Sequence, residues 1–553
     1  MKVTSFRPRH RFAWVALTFC LSVLTQANGF RPSAVSDRQP QPRPKSEDRV
    51  VLVHADDWLH DQFAYPDAQR FKGHVQFCHG GMDLKCDSAV FFQASNSFEA
   101  YGHVHMVQGD TLSLTCDRLY YHGDDQIAEA RKNVVLKHRG QTLKTDSLNY
   151  DRFYSFAYYY DGGRLIDGEN TLTSDWGEYH TDTRQSTFNY NVELVNPRFR
   201  IVTDTLHYNL DTKWADLAGP SNVYSDDSRI YTERGRYNTQ TEQSAFYDRS
   251  QIFNKEAKVV GDSLFYNKQT GDMYAYKDVV YDDAKSKCTL MGDYCHYNEL
   301  TGIALAHDRA LAKDYSNVAD TLFVHADTLR LYTYNIGTDS VYRRMHGYFH
   351  ARAYRSDVQA VADSLVFDSR ERLLSLYRDP IVWSDGRQVV GEQIDVYAND
   401  STIDSIYVRE QAMLVEQLDS IHYNQVAGKL MRSYFERGQV KLNCVDGNVY
   451  VVNFPLEKDS TILYQNYTET AKLRMYMENR RMKRLWAPAS KGCFYVAGLA
   501  PQERTRLEGF AWFDYIRPVD KYDLFEWRPK HKGSELKPPV RHEAPIQTIK
   551  ATP

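Results

Sequence analysis

Along most of the chain, apolar and polar residues alternate over short runs, and the runs return at a fixed distance. The returning motif is Asp-[Ser/Thr]-Leu-x-[Tyr/Phe]: Asp146-Ser147-Leu148-Asn149-Tyr150, Asp204-Thr205-Leu206-His207-Tyr208, Asp262-Ser263-Leu264-Phe265-Tyr266 and Asp363-Ser364-Leu365-Val366-Phe367. Looser copies start at Asp87, Asp117, Asp175, Glu233, Asp293, Asp327 and Glu392, so that successive first positions differ by 30, 29, 29, 29, 29, 29, 31, 34, 36 and 29 residues. Such a period marks one unit copied many times. Within the motif, Leu and Tyr stand two apart and share a face of a strand, while the residue between them is mostly polar (Asn149, Glu178, His207, Arg236, His296). One face is dry and the other wet.

A second signature follows the Asp by 15 to 18 residues, as in Asn133-Val134, Asn191-Val192, Asn222-Val223 and Asp278-Val279. Each unit therefore predicts two strands of roughly 8–11 residues and two turns. The leading Asp, with its Ser/Thr, is expected to cap the start of a strand through local backbone hydrogen bonds. A single unit cannot bury its own apolar face, but stacked neighbours bury a continuous one. The period alone fits a parallel coil or an antiparallel meander. Cys86 and Cys116, which both precede a motif Asp, would stack about 4.8 Å apart in the coil and stand two strands apart in the meander.

The organisation read from the sequence is a signal peptide over 1–27, a Pro-rich spacer over 28–49, tandem repeats over 50–400 and a divergent continuation over 401–490. An aromatic segment over 491–528, including Gly509-Phe510-Ala511-Trp512-Phe513, is expected to cap the stack, and 529–553 reads as a disordered tail. The signal peptide rests on Lys2, Arg7, Arg9 and Arg11 ahead of an apolar run from Phe12 to Leu24 that is too short to span a bilayer. Phe19, where a small residue is wanted, argues against lipidation of Cys20.

Composition sharpens the β reading. The chain has 40 Tyr, and between Asp67 and Asp379 it has only Pro197 and Pro220, as ladders that need their backbone N–H groups require. Removing residues 1–27 leaves 64 basic against 72 acidic side chains, a balance that excludes a strongly basic nucleic-acid binder. Seven cysteines remain, without CxxC or zinc spacing. Catalytic motifs are missing: no G-x-S-x-G, P-loop, dinucleotide fingerprint or H-E-x-x-H occurs. His103-Val104-His105 has no evident third metal ligand, and Asp124-Asp125, Asp226-Asp227 and Asp282-Asp283 read as turn residues. Neither an enzyme nor a cofactor is expected.

The tandem Asp-Ser-Leu-x-Tyr units with their Asn-Val returns, together with Asn424-Gln425-Val426-Ala427-Gly428-Lys429-Leu430-Met431, resemble the OstA-like (organic solvent tolerance) proteins, relatives of the LptA bridge. The resemblance covers about residues 50–490, in a form several times longer than a minimal bridge. It implies an all-β, elongated, repetitive antiparallel jelly roll, bent into a V whose groove shields acyl chains. It also implies a periplasmic bridge or scaffold in lipopolysaccharide transport, with lipopolysaccharide or a related lipid, the inner- and outer-membrane transport components and further copies of itself as partners. Leu148, Tyr150, Leu206, Tyr208, Leu264, Tyr266, Leu365 and Phe367 become the expected groove residues, and charge at Leu206 and Leu264 is expected to abolish lipid capture. A closed core would use the same residues equally well. The competing readings are a cell-surface repeat scaffold or adhesin, and a polysaccharide-processing β-helix enzyme; the second would need its carboxylates clustered rather than spread one per unit.

Overall fold

The computed structural model describes residues 48–532 apart from 64–65, 226–227, 255–256, 317–320, 339, 385, 400–401, 458, 460 and 479–480. The expected signal peptide, nearly all of the expected spacer and most of the expected tail lie outside the described residues. Thirty-eight strands among the described residues join in one sheet, each pairing antiparallel. The structure is thus a meander and not a parallel coil. The seven described cysteines are free thiols.

Each repeat is a pair of long strands, such as Leu112–His122 and Ile127–His138, and each strand bends at its middle. The motif Asp sits at that bend and not at the start of a strand. Tyr101 pairs with Arg118 and Val104 with Cys116, so Gly102 and His103 together face Asp117 alone. Two residues against one make a bulge, and a bulge turns the strand. The bulged residues take left-handed backbone angles, with φ of 43° at His103, 63° at Lys132 and 49° at Asn133. Gly102 is required there twice over: its φ is +73°, and an added Cβ would stand 2.3 Å from the Asp87 carboxylate.

The two sequence signatures meet at this corner. Asn133 Nδ2 donates to Asp117 at 2.7 Å, Asn191 Nδ2 to Asp175 at 2.7 Å and Arg309 Nε to Asp293 at 2.7 Å. His103 Nδ1 lies 2.8 Å from Asp87. In these repeats one carboxylate is therefore spent on fixing a corner. Between residues 303 and 398 the corners divide the strands outright, giving pairs such as Ile303–His307 with Leu311–Asp314.

The row of corners folds the sheet into two leaves facing each other across an apolar interior. The first leaf carries the Leu-x-Tyr halves of the repeats; the second carries the halves on the other side of the bend. A buried core runs from Val50 to Val279 and a second from Ala306 to Leu473.

The aromatic carboxy-terminal segment runs along the outer face of the second leaf. Val361 lies between Ala360 and Ala362, which face the interior, so its own side chain points outward. There it joins Ile381, Trp383, Val390, Met413 and Val415 in a third core, covered by Leu507, Phe513 and Ile516. A row of glutamines ties the segment down. Gln425 receives Leu507 N–H at 2.8 Å and donates to Thr505 O at 3.1 Å; Gln388 receives Phe513 N–H at 2.8 Å and donates to Ala511 O at 2.9 Å. Gln359 accepts from Arg517 Nε at 2.8 Å, and Arg352 donates to Asp523 O at 2.7 Å. The strap therefore reads the sheet in reverse chain order, crossing its strands.

Candidate functional site

One row of inward side chains on the first leaf can be followed from strand to strand through the pairing. It reads Phe98, Tyr121, Ala128, Tyr150, Ala157, Tyr179, Ser186, Tyr208, Ala215 and Tyr237. From Tyr121 onward tyrosine alternates with a small residue, because the motif supplies one Tyr per two strands. The large rings fill the space left by their small neighbours, and no member of this stretch is more than 7% exposed. The interior here is closed.

What closes it is a ladder of tyrosine hydroxyls reaching the second leaf. Tyr121 Oη lies 2.7 Å from His79 Nδ1, and Tyr179 Oη 2.6 Å from His138 Nδ1. Tyr150 donates to Gln108 Oε1 at 3.2 Å and Tyr208 to Asp167 Oδ2 at 2.9 Å. The partner precedes its tyrosine by 41 or 42 residues each time. Basic side chains rivet the same seam. Arg152 donates to Tyr121 Oη at 2.7 Å and Gly80 O at 2.8 Å, and Lys213 Nζ meets Asp167 at 2.5 Å.

Burial sets the protonation of this seam. It pushes the Tyr179 hydroxyl up to about 12 and holds His79 and His138 below the ordinary imidazole value, so both rings stay neutral. For Asp167 burial works upward, but hydrogen bonds from Lys213, Gln141 and Tyr208 outweigh it and keep the carboxylate ionised.

The ladder ends at Tyr237. The second-leaf position 41 residues earlier is Asn196, whose side-chain amide donates to Asn170 at 2.9 Å instead. From there the same inward row passes through buried Ser244 and continues as Tyr266, Met273, Tyr297, Ala304, Leu331, Met345, Phe367, Leu374, Val396 and Ile406. All ten stay partly exposed, Tyr297 to 37%. On the opposite wall the paired row runs Tyr281, Leu290, Ala312, Val324, Ala353, Ala360, Val382, Val389 and Leu414; its two ends are half-buried, and the four residues from Val324 to Val382 are buried. The result is an apolar trough with an open mouth, crossed by an ion pair between Arg343 and Asp283 at 2.9 Å.

The expected groove residues divide between the two regions. Leu148, Tyr150, Leu206 and Tyr208 are at most 2% exposed inside the sealed half, and Leu264 is fully buried at its edge. Leu365 is buried at the floor of the trough, while Tyr266 and Phe367 line its open wall. Sequence reasoning missed the hydroxyl ladder, although a polar residue 41 or 42 positions before each motif Tyr is readable in the sequence. It also missed the open wall, whose apolar residues follow no motif.

Among the described residues, no group of three or more His, Cys, Asp or Glu side chains is placed to hold a metal ion. His103, the metal candidate, is taken up by the Asp87 corner. No described helix is long and apolar enough to cross a membrane, which says nothing about strands.

No curated protein matches the chain significantly. Residues 47–204 match the family of OstA-like proteins, a span covering the first corners and most of the sealed half. Both the corner chemistry and the tyrosine ladder fall largely inside it, and they continue past its end. The amino-terminal repeats of this chain are thus similar to the OstA-like proteins.

Proposed function

We propose that the protein shields the acyl chains of lipopolysaccharide or a related lipid in the open trough between Tyr266 and Ile406, as a non-enzymatic periplasmic bridge or scaffold between the two membranes. One observation carries the reading: a single interior row that is sealed up to Tyr237 remains apolar but becomes accessible beyond Tyr266. Apolar surface exposed to water costs about 25 cal/mol per Å². A long accessible trough therefore favours an apolar occupant, and its near-uniform wall offers a sliding chain similar surface at each step. The OstA-like match supports the transport context.

Both ends of the sheet support assembly with further copies or with other transport components. Trp58 and Leu59 at one end, and Phe494 and Val496 at the other, lie exposed on terminal strands. Exposed strand edges invite pairing with another chain.

A photo-crosslinking residue placed at Phe367, and separately at Leu206, tests the assignment in protein purified from cell envelopes. A lipid adduct at Phe367 and none at Leu206 is the expected result. Absence of lipid at Phe367, with the protein folded, would sink it.

A further inference from the structure

The outer face of the second leaf changes character where the seal ends. Cross-strand pairing aligns Arg200, Tyr224, Arg229, Phe253 and Lys258 in one row. Cations and rings alternate: Arg200 lies 5.8 Å from the Tyr224 ring, Arg229 6.0 Å from Phe253 and Lys258 5.1 Å from Phe253. Arg198, in the turn before this row, adds a fourth cation. Arg198, Arg200, Tyr224, Arg229 and Phe253 line a shallow cavity of about 630 Å³ at the lip of the leaf.

This row is no general property of the repeat. On the four strand segments before Arg200 the same row reads Thr142, Ile166, Thr171 and Val195. Nor is its charge fully used within the fold. Among the described residues, Glu242 takes Arg198, Glu193 takes Arg200 and Asp282 stands across from Lys258 in the pairing, leaving four cations against three carboxylates. Arg229 Nε donates to the neutral Asn222 Oδ1 at 2.9 Å, and among the described residues neither Arg229 nor Lys258 meets a carboxylate. A guanidinium has five N–H donors in a planar fork, and each of these arginines commits few of them.

We infer that this lip binds a phosphate group, carried on the headgroup of the lipid whose acyl chains enter the adjacent trough. Arginine pairs phosphate through two parallel N–H···O bonds, and the ring faces offer the sugar carrying it a flat apolar surface. The inference rests on the trough reading for the rest of the lipid. Free inorganic phosphate shares the chemistry and is the control.

The test uses the whole mature chain and three probes: an acylated disaccharide lipid in diphosphorylated form, the same lipid dephosphorylated, and inorganic phosphate. Arg200→Gln combined with Arg229→Gln should weaken binding of the phosphorylated lipid about tenfold or more, as losing charge-assisted hydrogen bonds does, and leave the dephosphorylated lipid unaffected. Equal affinities before and after substitution, or an equal loss for both lipids, would overturn the headgroup site. So would inorganic phosphate binding lost in the double variant while the wild type ignores lipid phosphorylation, which would mean a free-anion site. The trough reading fails separately, if the wild type captures neither lipid.

Discussion

The two halves of this molecule are built from one repeat and differ in how the V is held. Up to Tyr237 the mouth is riveted by hydroxyls, arginines and a lysine, and the outer faces need no cover. Beyond Tyr266 the mouth stands open, and the outer face of the second leaf instead carries a strap held by Gln359, Gln388 and Gln425. Bridging the leaves fixes their separation at the expense of access. Bracing one leaf from outside keeps the interior free. The difference teaches that the same apolar row can be core or trough, depending on whether a polar partner faces it across the mouth.

The sharpest way to break the comparison is to place charge on each side of it. Leu206→Asp should unfold the sealed half, because an unpaired carboxylate in a fully buried site costs several kcal/mol against a marginal total; loss of the thermal transition would show it. Met345→Asp, on the accessible wall, should leave melting nearly unchanged and abolish lipid crosslinking at Phe367. Equal melting of the two variants would erase the distinction between core and trough.

Next in size are the rivets. Tyr208→Phe removes a partner of buried Asp167 and should cost about 1–3 kcal/mol in urea unfolding. Tyr237→Phe, beyond the last rung, should cost much less, and similar losses at both positions would mean that the ladder does not hold the mouth. On the other side, Gln388→Leu strips partners from Ala511 O and Phe513 N–H. A comparable penalty is expected there, visible as faster protease cleavage near residue 511 with cleavage of the sealed half unchanged.

The smallest effect is pH. His79 and His138 have folded values below 6.5, so the stability of their neutral rungs is present above that value and is lost as pH falls through the window beneath it. Asp167, also depressed, loses its contribution lower still. Melting followed from pH 7 to 5 should therefore show a declining transition, by at most about 1.4 kcal/mol per histidine per pH unit. His79→Gln should flatten part of that slope.

The repeat, its period and its dry face were legible in the sequence because period-two patterning and self-similarity are local properties. The corner was half legible. Both Asp117 and Asn133 stood out, but their meeting requires the bulge that sets one against the other. The parallel alternative fell only when Cys86 and Cys116 appeared two strands apart. The aromatic stretch around Phe510–Phe513 announced burial, yet nothing local told which surface it would cover.

The sequence by itself determined an all-β stack of paired strands with one apolar face, since each copy carries that instruction within 29 residues. Only the tertiary structure decided where this face is closed. Closure depends on side chains 41 or 42 residues apart meeting across the V: His138 reaches Tyr179, whereas Asn196 turns to Asn170 and leaves Tyr237 without a rung. That choice is one of reach across space, which no single repeat contains.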